Sequence, residues 1–313
     1  MKTPDCAGLT HPGRVRPGNE DHFLVARLSR TALLAGTSLT VDPFRDDPAE
    51  RPEWLLIVAD GIGGTAGGAR ASSLAVAAAA RSALEAFAAR TRESDDRSGE
   101  LRGILDQCRA RLTEDAAGDP DRRSMGTTLT MAFAAWPWLQ IAHVGDSRCY
   151  VLRGDRLDLI TRDHTLARAL AEMGINRPVR ADPGTPGSWL INALTSDRPA
   201  EPDLLRFRLQ PDDVVLLCTD GLTRHVPEET IARILRESGS ARRACRELVD
   251  QANRAGGFDN ITAVVARFRT PAAESAPSRE TRPETTVRIP GFGRRATDHP
   301  RPQPGPRSPV RRS

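Results

Sequence analysis

The chain has 313 residues, enough for one large domain or two small ones with a sizeable core. Charged residues make up 27% and the hydrophobic set 39%, a soluble globular balance, and no stretch approaches the roughly 18 uninterrupted apolar residues of a membrane helix. The net charge of +4 misleads: from Pro271 onward nine arginines face four acids and contribute +5, leaving the rest near −1, so no nucleic-acid-binding face is indicated on the folded part.

The start, MKTPDCAGLT, carries no apolar leader. The five cysteines (Cys6, Cys108, Cys149, Cys218, Cys245) are widely spaced and include no C-x-x-C pair. A structural disulfide set or zinc knuckle therefore does not fit, and a reducing cytoplasm does.

In chain order, residues 22–26 read as a first strand after the polar segment 14–21. A charged, Pro-containing loop is expected at 42–52. Residues 55–68, LLIVADGIGGTAGG, form the stretch around which the chain is organised. Its apolar run suits a buried strand, and its glycines let backbone groups approach an ion or anion closely. Residues 69–92 and 101–117 predict two antiparallel helices.

Sheet-like segments follow at 127–133, 138–144, 149–153 and 157–160, the last two joined by a hairpin at Gly154-Asp155. A short helix is expected at 166–173, then an exposed, mobile flap within about 165–198, crowded with Pro, Gly and Arg at 176–188. Strands at 204–209 and 214–219, helices at 228–236 and 241–255 and a closing strand at 261–268 complete the pattern. Strands in blocks and helices in pairs predict an α+β fold: two packed antiparallel sheets with helix pairs outside, a four-layer sandwich over 1–270. The Pro- and Arg-rich segment 271–313 is expected to be a disordered linker.

Asp60 ends the central apolar run, and Glu20, Asp146, Asp220 and Asp259 also fall where an apolar run or motif meets a turn. Singly, each reads as well as a cap or turn former. Clustered, they would repel unless protonated or neutralised by cations, and an oxygen-only donor set selects Mg²⁺ or Mn²⁺.

Seven motifs recur in order: R-P-G-N-E-D (16–21), V-A-D-G-I-G-G (58–64), M-G-T-T-L (125–129), V-G-D-S-R (144–148), T-R-D-H (161–164), T-D-G-L (219–222) and D-N-I-T (259–262). In these the sequence resembles the metal-dependent Ser/Thr protein phosphatases (PPM, type 2C) in their bacterial stand-alone form. The resemblance implies a four-layer sandwich binding two Mn²⁺ or Mg²⁺ ions, with a third, weaker position. Asp60 would bridge two ions, the Gly61 carbonyl would bind one, and Asp220 and Asp259 the other. Glu20, or Asp21 beside it, would act through water, and Asp146 with Asp220 matches the third position. Arg16 matches the arginine that grips the substrate phosphate. Two divalent ions about 4 Å apart would supply hydroxide near neutral pH, and a planar Arg fork suits the charge spreading over the phosphoryl group.

The implied substrates are phosphorylated proteins, opposite a bacterial Ser/Thr kinase, for a cytoplasmic monomer with no membrane or nucleic-acid partner. The rival is a non-catalytic phosphatase-fold module that binds a phosphoprotein; the retained Asp60, Asp220 and Asp259 favour catalysis. A second rival, a regulatory phosphatase acting on an anti-sigma-factor antagonist, usually brings sensor or membrane segments that are not visible here. Two positions depart from the family pattern. Ile62 stands where some members place a proton-donating His, and L-I-N-A-L-T (190–195), with Asn192 and Thr195, replaces a segment with Arg and Gly. His143, His164, Cys218 and residues 126–128 are expected to be structural.

Overall fold

In a computed structural model the described residues are 3–29, 53–62, 66–90, 96–119, 122, 125–175 and 188–269. The expected loop at 42–52, the middle of the expected flap (176–187) and the tail beyond 269 lie outside them.

Among the described residues, twelve strands form two antiparallel sheets. The first contains β1 (Asp5–His11), β12 (Ile261–Arg267), β11 (Val214–Cys218), β7 (Arg148–Arg153) and β8 (Arg156–Leu159), in that spatial order. In the second, β3 (Glu53–Ile62) is central. It pairs with β2 (Asp21–Leu28), β5 (Leu129–Ala135) and the two-residue β4 (Gly126–Thr127). β6 (Trp138–Val144) and β10 (Asp203–Arg208) extend it past β5, and β9 (Leu194–Thr195) past β4.

The apolar runs are continuous because both faces of the inner strands are buried. In β3, Leu55 and Ile57 face helices α1 (Ala66–Ala89) and α2 (Ser98–Ala117), while Leu56 and Val58 face the other sheet. β11 repeats the device: Leu216 and Cys218 pack against α5 (Glu228–Glu237) and α6 (Ala241–Arg254), and Val215 and Leu217 against the second sheet. Each fully buried aliphatic side chain contributes about 1.5–3 kcal/mol. Helix α1 presents Ala71, Ala75, Ala79, Ala83 and Phe87 every fourth position to the core. Small side chains there let it lie close to β3. The result is the expected α-β-β-α sandwich, and no described helix is long and apolar enough to cross a membrane.

Three differences from the sequence reading stand out. The expected strand at 127–133 is broken between β4 and β5, because Thr128 turns aside to hold Asp60. Residues 5–11 form β1, an unexpected edge strand half-buried along its length. The four-residue helix α4 (Asp220–Thr223) follows β11 directly. Of the expected flap, the short helix α3 (Leu166–Glu172) is described, capped at its start by the Thr165 hydroxyl.

Candidate active site

The ends of β3, β11 and β12 and the turns after β6 and before β2 open into one cleft of about 710 Å³. Arg16, Glu20, Asp60, Gly61, Asp146, Asp220 and Asp259 all line it, although they come from both ends and the middle of the sequence. Asp21 is brought close but not into the lining. It pairs with Asp60 across β2–β3, and its buried Oδ2 accepts hydrogen bonds from the Thr219 and Thr262 hydroxyls, both at 2.7 Å. Of the two acids the resemblance left open, Glu20 faces the cleft and Asp21 lies beneath it.

Asp60 is held through its backbone on a rigid mount. Its N–H donates to Thr128 Oγ1 (3.0 Å), and its carbonyl accepts from Thr128 N (2.9 Å) and the Thr127 hydroxyl (2.8 Å). Ser147, next to Asp146, shares a 2.7 Å bond with Thr128 Oγ1 and ties the two acid-bearing turns together. Glu20 is fixed by Asn260, whose Oδ1 accepts from its N–H, and by the Ser72 hydroxyl on its carbonyl. Close backbone approach explains the glycines: a Cβ on Gly61 would lie 2.2 Å from the Gly68 carbonyl oxygen, and one on Gly68 2.2 Å from Glu20 Oε2.

Burial, and then Asp21, Asp220, Asp146 and Asp259, push the Asp60 carboxyl well above the usual range. Burial, with Asp220 next, raises Asp146 to about 8. Burial raises Asp21 to about 7 against the two hydroxyl bonds, with Asp220 and Asp259 adding to the rise. Asp220 is also raised, by burial first, with Arg224 opposing. Acids raised in this way bind more protons folded than unfolded, so they stabilise below the unfolded value and lose that contribution as pH climbs through the folded one. Chelator-treated protein is therefore expected to lose thermal stability from about pH 5 to about pH 8, and differential scanning calorimetry across that range checks it. A flat or rising midpoint would contradict the clustered-acid geometry.

Two guanidinium groups hold part of this charge. Arg16, half-exposed, forks onto Asp259 at 2.8 and 2.9 Å. Arg224 pairs with Asp220 and approaches Asp146 and Asp259. With the carboxylates so engaged, no three ligating side chains among the described residues converge on one point. The donor set still fits hard divalent cations: it is all oxygen, and buried Asp220 Oδ1 in the lining has no hydrogen-bond partner.

Sequence reasoning missed Arg224, although it stands four residues after Asp220. It also missed Asn260 and the hydroxyls of Ser147, Thr219 and Thr262, each of which sits within an acid motif. His143 and His164 make structural contacts, as expected. His143 Nε2 donates to the Arg162 carbonyl and its Nδ1 bonds the Thr130 hydroxyl. His164 Nδ1 accepts from Gly145 N, buttressing the turn that carries Asp146. Asn192, one of the atypical residues, also donates to His164 and to the Glu201 carbonyl. Ile62 lines the cleft.

Residues 42–252 match the family model described as Protein phosphatase 2C. The chain is 37% identical over 216 residues to the serine/threonine protein phosphatase PstP of Mycobacterium tuberculosis, covering 68% of this chain and 40% of that protein. It is 34% identical over 211 residues to the serine/threonine phosphatase Stp of Listeria welshimeri, 67% of this chain and 83% of that one. The crystal structure of the mycobacterial PstP superposes with a TM-score of 0.65 at 32% identity, over 85% of this chain and 99% of that chain. A PstP catalytic domain in complex with two manganese ions gives 0.66 at 31% identity, over the same shares. On the family match over more than half its length and these relatives, this chain belongs to the protein phosphatase 2C family.

Proposed function

We propose that the chain is a metal-dependent protein phosphatase that hydrolyses phospho-Ser and phospho-Thr in proteins. The observation that carries this reading is the convergence of Glu20, Asp60, Asp146, Asp220 and Asp259 on one cleft with Arg16 at its side. Asp60, the Gly61 carbonyl, Asp220 and Asp259 would hold two Mn²⁺ or Mg²⁺ ions, with Glu20 acting through water. When bound, such ions activate water as a nucleophile and balance the charge on the phosphoryl oxygens.

The side chains do the positioning. Asp60 keeps one orientation because Thr127 and Thr128 clamp its backbone. Arg16, free to leave Asp259, presents a planar fork to a phosphate dianion. Ile62 carries no transferable proton, so the leaving alkoxide would take its proton from a water in the cleft. The catalytic unit would be residues 1–270, with 271–313 a linker, working as a cytoplasmic monomer on phosphoproteins opposite a Ser/Thr kinase.

The test is release of phosphate from a small aryl phosphate and a phosphothreonine peptide, with and without Mn²⁺. Manganese-dependent turnover of both is expected; binding of the peptide without turnover would point to a non-catalytic module. Arg16→Ala should lower kcat/KM for the aryl phosphate about 10–100-fold, the loss of a charge-assisted phosphate contact. Its thermal midpoint should hardly change, since the Arg16–Asp259 pair is half-exposed. Unchanged kcat/KM would remove Arg16 from the substrate site.

A further inference from the structure

Arg224 lines the cleft yet has no part in the chemistry proposed above. Its N–H donates to the Asp220 carbonyl at 2.9 Å, setting its side chain over the aspartate four residues back. Its Nη2 forms a close ion pair with Asp220 Oδ2 and stands 3.5 Å from Asp146 Oδ2, while Nη1 is 3.9 Å from Asp259 Oδ2. A single nitrogen thus sits between two carboxylates whose side chains are only 9% and 11% exposed. Such a group keeps its charge at any working pH, and pulling it out would leave two buried carboxylates facing each other.

We propose that Arg224 is a built-in cation: its guanidinium fills the place between Asp146 and Asp220 where a third divalent ion would otherwise bind, so the chain takes up two such ions. The inference rests on the dinuclear phosphatase reading and deepens it. Oxygen ligands hold Mg²⁺ or Ca²⁺ at about 2.0–2.6 Å, so an ion between the same oxygens would press directly against the guanidinium. A substrate-gripping role suits Arg224 less well than Arg16. Arg16 is 52% exposed and bonded to one carboxylate, whereas Arg224 is 22% exposed and faced by three.

The experiment is a Mn²⁺ titration of the chelated full chain, followed by calorimetry and by electron paramagnetic resonance of free Mn²⁺. Wild type and Arg224→Lys should saturate at two ions per chain. Arg224→Gln, which keeps much of the length and loses the charge, should take up a third, bound at least about tenfold more tightly than any third ion in wild type. The same stoichiometry in wild type and Arg224→Gln would overturn the role of Arg224 while leaving the dinuclear site standing. No Mn²⁺ uptake by wild type would instead bring down the phosphatase reading and this inference with it. Should Arg224→Gln fail to fold, Arg224→Ala takes its place with the same two outcomes, and a third ion in wild type of affinity similar to the first two overturns the proposal outright.

Discussion

Asp60→Asn is expected to abolish Mn²⁺-dependent phosphate release, by more than about 10³-fold in kcat/KM, while the chain stays folded. The substitution keeps the side chain's shape and removes one charge from the centre of the acid cluster. Asp60 feels Asp21, Asp220, Asp146 and Asp259 at once, so removing its charge also relieves repulsion. The metal-free variant should melt higher than metal-free wild type at pH 8, by roughly 2–4 °C for each kcal/mol relieved. Added Mn²⁺ should then stabilise it far less than it stabilises wild type. Lost activity combined with a higher metal-free midpoint separates a ligand from a structural aspartate, whose removal lowers both. A variant that melts lower without metal would show that Asp60 serves the fold and not a cation.

Gly221→Ala should have the second largest effect, through backbone alone. A Cβ at Gly221 would lie 1.9 Å from the Asn260 carbonyl oxygen and 3.4 Å from Asp259 Cβ. The obstacle is main chain between β11 and β12, so it cannot rotate away. The helix start that bears Asp220 must separate from the strand start that bears Asp259, at a cost of about 1–3 kcal/mol of overpacking. Unfolding in urea should report that loss, and phosphate release should drop with it, because the two aspartates would no longer share a geometry. Gly99→Ala is the control: nothing lies within 4 Å of a Cβ there, so both readouts should stay near wild type.

The parts of this molecule that could be read from the chain are those where one residue type has one physical outlet. Apolar runs such as Leu55–Leu56–Ile57–Val58 must be buried on both faces, and that alone implies layers on either side. Alanine every fourth residue from Ala71 fixes which side of α1 meets the sheet. Asp60, Asp220 and Asp259 could be grouped because each stands beside glycine or asparagine at a run's end.

What stayed hidden depends on contacts distant in sequence. β1 has no alternation to announce it. It is defined by pairing with β12 more than 250 residues away, and its Gly8 is required because a Cβ there would meet the Phe23 ring at 2.2 Å. Arg224 reads as a surface arginine until the turn of α4 aims it back at Asp146, 78 residues earlier. Asp21 and Glu20 are neighbours in the sequence, and contacts with distant residues, the Thr219 and Thr262 hydroxyls on Asp21 and Asn260 and Ser72 on Glu20, set which of them lies beneath the cleft.

The central claim is that buried acids from distant parts of the chain share divalent cations in this cleft. Anomalous diffraction from crystals grown with Mn²⁺ tests it most directly. The account predicts two manganese peaks within coordination distance of the Asp60 carboxylate, one also touching the Gly61 carbonyl and the other Asp220 and Asp259. A fully ordered cleft with no manganese bound to Asp60 at saturating concentration would contradict it.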